Sequence, residues 1–312
     1  MHSIASYVIP WIVWFRFRGS FQTPEALHAR IKNERKTKTH EPPQRIRRQL
    51  SVEERTVGGY PVYDLSPKSE DLHRARLLYI HGGAFVFEIQ PIHWTVVAEL
   101  AERLNAIITV PIYPKGPEHS LPQMFDMLQP VHDEVAAAAS RENVPFLMAG
   151  DSCGGSMALV LTQQASKAGK PIASRIVLNT PVVDCTLTNP DMYALAPSDP
   201  FHDMPGFEEI IKVVFSGMNL KDPMVSPIYG DLSILPPVLV FIAERDLLAP
   251  DTRRFVDMAR EKGREVEVVE GEGMVHVWPV MPFPEGEQAR RKMTQWLGKA
   301  LSRTAEIPAL HN

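Results

Sequence analysis

The hydrophobic residues of this chain fall into compact runs separated by longer stretches of mixed polarity. The runs are rich in valine, isoleucine and leucine, which is typical of strands buried on both faces. They are Leu77–Ile80, Ala106–Val110, Phe146–Ala149, Arg175–Leu178, Val238–Ala243 and Val266–Val269. The stretches with the length of helices are His93–Leu104, Met124–Ala139, Ser156–Lys167, Asp251–Lys262 and Glu287–Leu301. Strands that alternate with helices predict a mostly parallel α/β sheet with helices on both faces.

Two segments depart from this alternation. Ser51–Val57 and Tyr60–Leu65 alternate between apolar and polar residues and are joined by Gly58-Gly59, which predicts an antiparallel hairpin at the sheet edge. Residues 189–236 are rich in proline, and only Phe207–Met218 has a helical pattern. A long irregular segment in a compact domain is usually a lid or a binding element. We therefore expect an insertion lying over one face of the sheet.

One motif has the form expected of a nucleophile on a sharp turn. Gly150-Asp151-Ser152-Cys153-Gly154 follows the strand Phe146–Ala149 and precedes a predicted helix. In a Gly-x-Ser-x-Gly turn between strand and helix, the serine is held in a strained conformation that exposes its hydroxyl. Side chains at Gly150 and Gly154 would collide with the neighbouring strand and helix. Ser152 is therefore the predicted nucleophile.

A second glycine motif predicts hydrogen-bond donors for an anion. His81-Gly82-Gly83 follows the strand Leu77–Ile80 directly. Two successive glycines can turn their N–H groups toward one anion, and the N–H of Cys153 would be the third donor of an oxyanion hole. The predicted oxyanion hole is thus Gly82, Gly83 and Cys153. Cys153 could also be a reactive thiol, but its place in the turn favours a small side chain that contributes only its N–H.

The remaining partners of a catalytic triad are predicted from their order along the chain. Asp246 follows the strand Val238–Ala243, and His276 lies in the loop after Val266–Val269. A serine, an acid and a histidine in this order, each just after a parallel strand, can converge at one edge of the sheet. Two other acids compete for the role of Asp246: Asp184 after a strand, and Asp251, which better suits the N-cap of the next helix.

Together these motifs resemble the hormone-sensitive-lipase-like family of α/β-hydrolases, over roughly residues 50 to 300. Its motifs correspond here to His81-Gly82-Gly83, Gly150–Gly155, Asp222–Pro227 and Asp246–Leu248. The resemblance implies the α/β-hydrolase fold with a helical cap built partly from the N-terminus. We therefore expect an N-terminal cap segment in residues 1–45. Residues 46–312 would form the catalytic domain, with a cap insertion at about 189–236.

The resemblance also implies an activity. It predicts a serine carboxylesterase for short-chain acyl esters, in which Ser152 attacks, His276 carries the proton and Asp246 orients the histidine. No cofactor or metal is expected, because the sequence has no Walker loop, His-Glu-x-x-His or Cys-x-x-Cys motif. An amidase or formamidase, a membrane-associated lipase and a non-catalytic binding protein on the same fold remain alternatives.

Three departures from the family pattern leave the substrate open. The family's Tyr-Arg-Leu-Ala-Pro-Glu segment is Tyr113-Pro114-Lys115-Gly116-Pro117-Glu118, and Cys153 replaces the usual alanine after the nucleophile. The family's His-Gly-Phe is replaced by His276-Val277-Trp278. These changes affect the shape of the pocket more than catalytic competence.

The N-terminus has two interpretations. Residues 4–17 are almost continuously apolar, but the run is shorter than the roughly 20 residues that span a bilayer as a helix, and Pro10 interrupts it. The segment is either a helix packed on the fold as a lid or a contact with a membrane surface, with Arg16 and Arg18 beside its aromatic residues. The basic stretch Arg30–Arg48 is expected to be a solvated helix end and linker.

Composition excludes several classes of protein. The chain has 312 residues, of which 44% are hydrophobic and 22% charged, which excludes a disordered chain. Its net charge of −4 argues against a nucleic-acid partner. Only two cysteines, Cys153 and Cys185, favour a reducing compartment, so we expect a cytoplasmic protein. The expected partner is a small acyl ester, and a homodimer is left open by analogy with the family.

Overall fold

The computed structural model describes Ser3, Trp11 and residues 17–304 apart from Lys38, Glu70 and Leu72. The interpretation of residues 4–17 as a lid or a membrane contact therefore falls almost entirely outside the described residues. Among the helices that are described, none combines the length and the apolar character needed to cross a bilayer.

The strands of the described residues form one eight-stranded sheet. They are β1 (Leu50–Val57), β2 (Tyr60–Pro67), β3 (Ala75–Ile80), β4 (Ala106–Pro111), β5 (Phe146–Asp151), β6 (Arg175–Asn179), β7 (Val238–Arg245) and β8 (Val266–Val275). The order across the sheet is β1-β2-β4-β3-β5-β6-β7-β8. All strands predicted from the sequence are present, and the largest difference is at β8, which runs six residues farther than predicted.

The helices of the described residues are α1 (Pro24–Thr37), α2 (Gln44–Gln49), α3 (Pro91–Leu104), α4 (Leu121–Glu142), α5 (Cys153–Lys167), α6 (Pro190–Leu195), α7 (Met204–Val214), α8 (Ala249–Glu261) and α9 (Pro284–Thr304). Several begin two or three residues before the predicted start, because a proline such as Pro91 or Pro250 occupies the first turn, where it is well tolerated. The predicted helix Phe207–Met218 ends earlier, at Val214, because the chain turns at Gly217 with a φ of +75°.

The edge hairpin forms where the sequence predicts it. β1 and β2 pair antiparallel, with Val57 opposite Tyr60. Gly58 and Gly59 both have positive φ, +59° and +86°, as a tight hairpin turn requires. β2 also pairs antiparallel with β4, whereas all later pairs in the sheet are parallel.

The sheet separates two hydrophobic cores. Side chains alternate along β3, so that Leu78 and Ile80 belong to one core while Leu77 and Tyr79 belong to the other. The first core is covered by α4, α5 and α8, and the second by α3 and α9. The predicted architecture, a mostly parallel sheet with helices on both faces, is confirmed.

The strand order determines where the loops converge. β3 lies between β4 and β5, so the chain moves to one side of β3 and later returns to the other. In such sheets, ligands bind outside the carboxyl ends of the strands at this switch point. The loops after β3 and β5 are therefore neighbours at that edge, and the loops after β7 and β8 lie at the same edge of the sheet.

The irregular segment 189–236 divides into two parts. Its first part, with α7, contacts the short helical turn Arg18–Phe21 near the N-terminus. Its second part packs on the body of the domain, where the Ile228 N–H donates to Val183 O at 3.1 Å and the Gln163 side chain donates to Pro227 O at 2.9 Å. The first part of the segment therefore lies beside the described N-terminal residues, and the second part is bonded to the body of the domain.

Trp296 provides a test of the packing of α9 on the sheet. Its side chain is 1% exposed, and the Arg175 guanidinium lies 4.5 Å from its ring centre. Trp296→Ala should lower the free energy of unfolding by about 3–5 kcal/mol, because it leaves a large cavity. The matched control is Trp11→Ala at a side chain that is 66% exposed, where we expect a change within about 0.5 kcal/mol. Equal effects in denaturant titrations would contradict this packing.

Candidate active site

Ser152 occupies the turn between β5 and α5 in a conformation rare for a residue with a side chain. Its φ is +52° and its ψ is −120°. The surrounding backbone holds it there: the Ser152 N–H donates to Asn179 O at 2.8 Å, and Ser152 O accepts from Val182 N–H at 3.2 Å. Strain of this kind persists only where neighbouring structure enforces it, and it is common at functional sites.

Two glycines allow this turn, as the sequence predicts. A Cβ on Gly150 would lie 2.7 Å from the backbone nitrogen of Gly155, and one on Gly154 would lie 2.7 Å from His81 O. Real Cβ atoms do not approach backbone this closely. The helix that follows Ser152 can therefore pack against the end of β3 only with glycine at these positions.

The loop after β3 lies directly against the serine. A Cβ on Gly82 would be 3.0 Å from Asp151 O and 3.3 Å from Ser152 Cβ. Gly83 has a φ of +135°, and its carbonyl accepts from Val86 N–H at 2.9 Å. Cys153 is the first residue of α5, where helix N–H groups have no acceptor within the helix. The three residues of the predicted oxyanion hole thus surround the serine.

His81 supports this loop as a neutral side chain. It is fully buried, and its Nδ1 lies 2.6 Å from Gly82 O. Its ring stacks on Tyr113 at 4.5 Å, and the Tyr113 hydroxyl donates to His81 O at 2.9 Å. Burial, with the positive charge of Lys115, holds the pKa of His81 well below its usual range. A neutral His81 can donate from Nδ1 to Gly82 without placing a second charge in the turn.

The structure joins Asp246 and His276. His276 Nδ1 lies 2.7 Å from Asp246 Oδ2, and both side chains are buried. Asp246 Oδ1 also accepts from Leu248 N–H at 3.0 Å, which fixes the carboxylate in its own loop. The longer β8 places His276 directly after the strand rather than in a loop. The Val277 N–H then donates to Thr180 Oγ1 at 3.1 Å, which anchors the next residue.

The two competing acids lie elsewhere. Asp184 accepts from Arg254 at 2.9 Å and from the Tyr229 hydroxyl at 2.8 Å. Asp251 accepts from Asn189 Nδ2 at 2.9 Å. Asp251 is also not the N-cap of α8, because the helix begins two residues earlier and places it within the first turn.

The environment of the Cys153 thiol disfavours its reactive, deprotonated form. Its side chain is fully buried, its sulfur accepts from Phe85 N–H at 3.3 Å, and the Tyr113 hydroxyl lies 3.7 Å away. Burial raises the pKa of Cys153 to about 11. Because the thiolate is the nucleophilic form, this environment does not support the alternative of a reactive thiol.

Sequence patterns did not reveal two further groups at the site. Asp151, next to the serine, is fully buried and bonded to the Tyr79 hydroxyl and to Asn179 Nδ2. Burial raises the pKa of Asp151. The other group is His202, from the irregular segment, whose ring centre lies 4.4 Å from that of His276. Asp151 belongs to the Gly150–Gly154 motif, but the motif gives its side chain no role, whereas His202 lies in a segment without any recognisable motif.

Four of the six predicted site residues line a common cavity of about 520 Å³. Ser152, His276, Gly82 and Gly83 line it, together with His202. The rest of the wall is largely apolar and includes Phe17, Phe21, Phe87, Phe201, Val277, Val280, Met281 and Pro282. A nucleophile and a base in an apolar cavity with backbone donors beside them suit acyl transfer.

His202, Asp246 and His276 also place one possible ligand atom each within 4.8 Å of one another. The 2.7 Å hydrogen bond between Asp246 and His276 already uses His276 Nδ1. A metal ion would compete with that bond, so the arrangement is better suited to an acid–imidazole pair.

Known proteins are similar to this chain. A family model for the alpha/beta hydrolase fold matches residues 77–280. An esterase of Acinetobacter venetianus is 28% identical over 216 residues, which cover 68% of this chain and 71% of the relative. An acetyl-hydrolase of Streptomyces hygroscopicus is 28% identical over 243 residues, or 75% of this chain and 78% of the relative.

Solved structures agree with the fold. The crystal structure of a hormone-sensitive lipase from a metagenome library has a TM-score of 0.74 with this chain and 21% identity. It covers 90% of this chain and 99% of its own length. The family model, which matches about two thirds of the chain, together with the relatives confirms the resemblance, and the chain belongs to the α/β-hydrolase fold family.

Proposed function

We propose that this protein is a serine carboxylesterase that hydrolyses short-chain acyl esters. As a member of its family, the chain is a carboxylic ester hydrolase, and its relatives include an esterase and an acetyl-hydrolase. The observation that carries the finer assignment is the 2.7 Å hydrogen bond between Asp246 and His276, in a cavity that Ser152 also lines.

The proposed reaction begins at the serine. Ser152 Oγ attacks the ester carbonyl, and His276 accepts its proton and then donates it to the departing alcohol. Asp246, bonded to Nδ1, keeps the other ring nitrogen of His276 available as the base and stabilises the imidazolium that forms. Water then attacks the acyl-enzyme by the same route and releases the acid.

Backbone N–H groups would stabilise the negative charge of the tetrahedral intermediate. Gly82 and Gly83 line the cavity beside Ser152, and Cys153 begins α5. Each such donor is typically worth about 3–4 kcal/mol of transition-state stabilisation. The positive end of the α5 dipole acts on the same oxygen. Because these groups are held by the fold, they need no reorganisation during the reaction.

The apolar wall supports a small substrate. The cavity of about 520 Å³ must accommodate both the acyl chain and the alcohol, and this volume is in the range of small-molecule sites. Phe21 and Phe87 meet edge to face at 6.1 Å, and the Arg30 guanidinium lies 4.6 Å from the Phe87 ring centre. Together these side chains limit the length of chain that the cavity can hold.

Replacing the nucleophile tests the proposal. Ser152→Ala should lower kcat for p-nitrophenyl butyrate by about a millionfold or to the detection limit, because no other group forms the acyl-enzyme. Ser174→Ala is the matched control, since Ser174 is exposed and bonds to Phe146 O at the opposite end of β5. Full activity of Ser152→Ala, with a normal circular dichroism spectrum, would refute the proposed function.

Covalent reagents distinguish the serine from the neighbouring cysteine. A sulfonyl fluoride should inactivate the enzyme through Ser152. Iodoacetamide at pH 8 should leave it active, because burial raises the pKa of Cys153 to about 11. The unfolded protein should be alkylated at both Cys153 and Cys185. Inactivation of the folded enzyme by iodoacetamide, with label on Cys153, would contradict the assignment.

Acyl-chain preference tests the size of the cavity. Activity should be highest on acetyl to hexanoyl esters and should fall steeply toward palmitoyl. Phe87→Leu should move the optimum toward longer chains, because Phe87 lines the cavity. Phe125→Leu, on α4 in the same core but away from the lining of the cavity, should leave the profile unchanged. A maximum at palmitoyl for the unaltered protein would instead favour a lipase.

A further inference from the structure

A second histidine lies against the proposed catalytic histidine. His202 and His276 meet edge to face, with ring centres 4.4 Å apart and planes at 73°. Both side chains are buried and both line the cavity. His276 follows β8, whereas His202 precedes α7 in the irregular segment. The contact therefore joins the irregular segment to the proposed triad.

A buried carboxylate holds the second histidine. His202 Nδ1 lies 3.2 Å from Asp199 Oδ2, and Asp199 is fully buried. Asp199 Oδ1 accepts from the N–H groups of Phe201 at 2.7 Å and His202 at 3.1 Å. Burial alone would raise the pKa of Asp199, but the adjacent His202 ring, which bonds to it, and the Leu247 N–H outweigh burial, so the pKa is lowered. An ionised Asp199 orients His202 as Asp246 orients His276.

The same carboxylate also holds the loop of the triad acid. Asp199 Oδ2 accepts from Leu247 N–H at 3.0 Å. Leu247 directly follows Asp246, so one carboxylate is bonded both to the second histidine and to the loop that carries the acid. Displacement of Asp199 would therefore disturb both partners of His276.

The N-terminal residues brace this arrangement. Arg18 is buried and donates from Nη1 to the carbonyls of Ala196, Asp199 and His202, and from Nη2 to Asp203 at 2.9 Å. Phe21 packs edge to face on His202, with ring centres 5.1 Å apart. These contacts fix the backbone on both sides of His202, so that its ring is presented to His276 in one orientation.

We propose that His202, held by Asp199, is a positioning residue that keeps the His276 imidazole against Asp246 while His202 is neutral. The inference rests on the proposed function. The His202 ring lies beside that of His276 and obstructs rotation of the imidazole away from the carboxylate. Misplacement of a catalytic group by about 1 Å can cost a hundredfold in rate. The irregular segment thereby contributes to the order of the triad as well as to the cavity wall.

The pH dependence of activity distinguishes this role from a purely structural one, because it depends on the charge of His202. The groups facing it are Asp199 in its own segment, and His276 and Asp246 from the sheet. Arg18, from the N-terminal turn, bonds to its carbonyl. His276 must become positive during the reaction, and a second positive imidazole beside it would oppose that change. Protonation of either histidine should therefore stop catalysis.

The test is the pH dependence of kcat/KM below neutrality. The unaltered enzyme should lose activity with a limiting slope of about two in the logarithmic profile, one proton for each histidine. His202→Phe keeps an aromatic ring but cannot be protonated, so its slope should be about one. His202→Gln retains a hydrogen-bond donor for Asp199 and should also give a slope of about one. It replaces His202→Phe in the experiment if that variant does not fold.

Removal of the ring tests positioning itself. His202→Ala should lower kcat by about 10- to 100-fold, with KM changed less than about threefold. His28→Gln is the matched control, because His28 pairs with the carboxylate of Glu209 on α7 at 2.8 Å but does not line the cavity. It should retain both the rate and the two-proton slope.

Two results would overturn the role of His202. One is a two-proton slope that persists in His202→Phe and His202→Gln. The other is a kcat for His202→Ala equal to that of the unaltered enzyme. Either result with an inactive Ser152→Ala would remove this inference and leave the proposed function intact. Full activity of Ser152→Ala would remove both.

Discussion

The turn at Ser152 is the constraint on which the rest of the site depends. A residue with a side chain is held at a φ of +52° between a buried strand and a helix. That conformation is sustained by close backbone contacts, in which Gly154 allows α5 to approach the end of β3. The same approach brings Gly82 to the serine. One local packing requirement thus places the proposed nucleophile and the proposed backbone donors together.

The polar groups around the turn are organised so that few of them need to change charge. His81 is kept neutral by burial, and the Cys153 thiol is kept protonated. Asp151 is enclosed by Tyr79 and Asn179, which donate to its two carboxylate oxygens. Hydrogen bonds are stronger in such a buried, low-dielectric site than in water. These buried contacts therefore hold the backbone around Ser152 in one conformation.

The proposed partners of the serine follow strands β7 and β8, and His202 comes from a segment outside the sheet. Asp246 and His276 sit at adjacent strand ends, so sheet register sets their distance. His202 and Asp199 depend instead on Arg18 and on the N-terminal residues that pack against them. The cavity is closed by contacts between distant parts of the chain, whereas the proposed triad is built on the sheet.

This difference explains what could be predicted from the sequence. Ser152, Asp246 and His276 each follow a strand whose hydrophobic pattern is local, so their shared edge could be inferred from strand order alone. His202 and Asp199 lie in a segment without regular periodicity, and their contacts reach Arg18, more than 170 residues away. The starts of α3, α4, α8 and α9 were predicted two or three residues late because the hydrophobic pattern begins after a proline-containing first turn.

The most direct test of the account is to identify the residue that carries the acyl group during turnover. The enzyme would be mixed rapidly with p-nitrophenyl butyrate, quenched in acid, digested and mapped by mass spectrometry. The account predicts a butyryl group on the peptide that contains Ser152, attached to the serine oxygen. A butyryl group on Cys153 or on any other side chain would contradict it. So would turnover without any acylated peptide, provided that the same quench traps the acylated peptide of a known serine esterase.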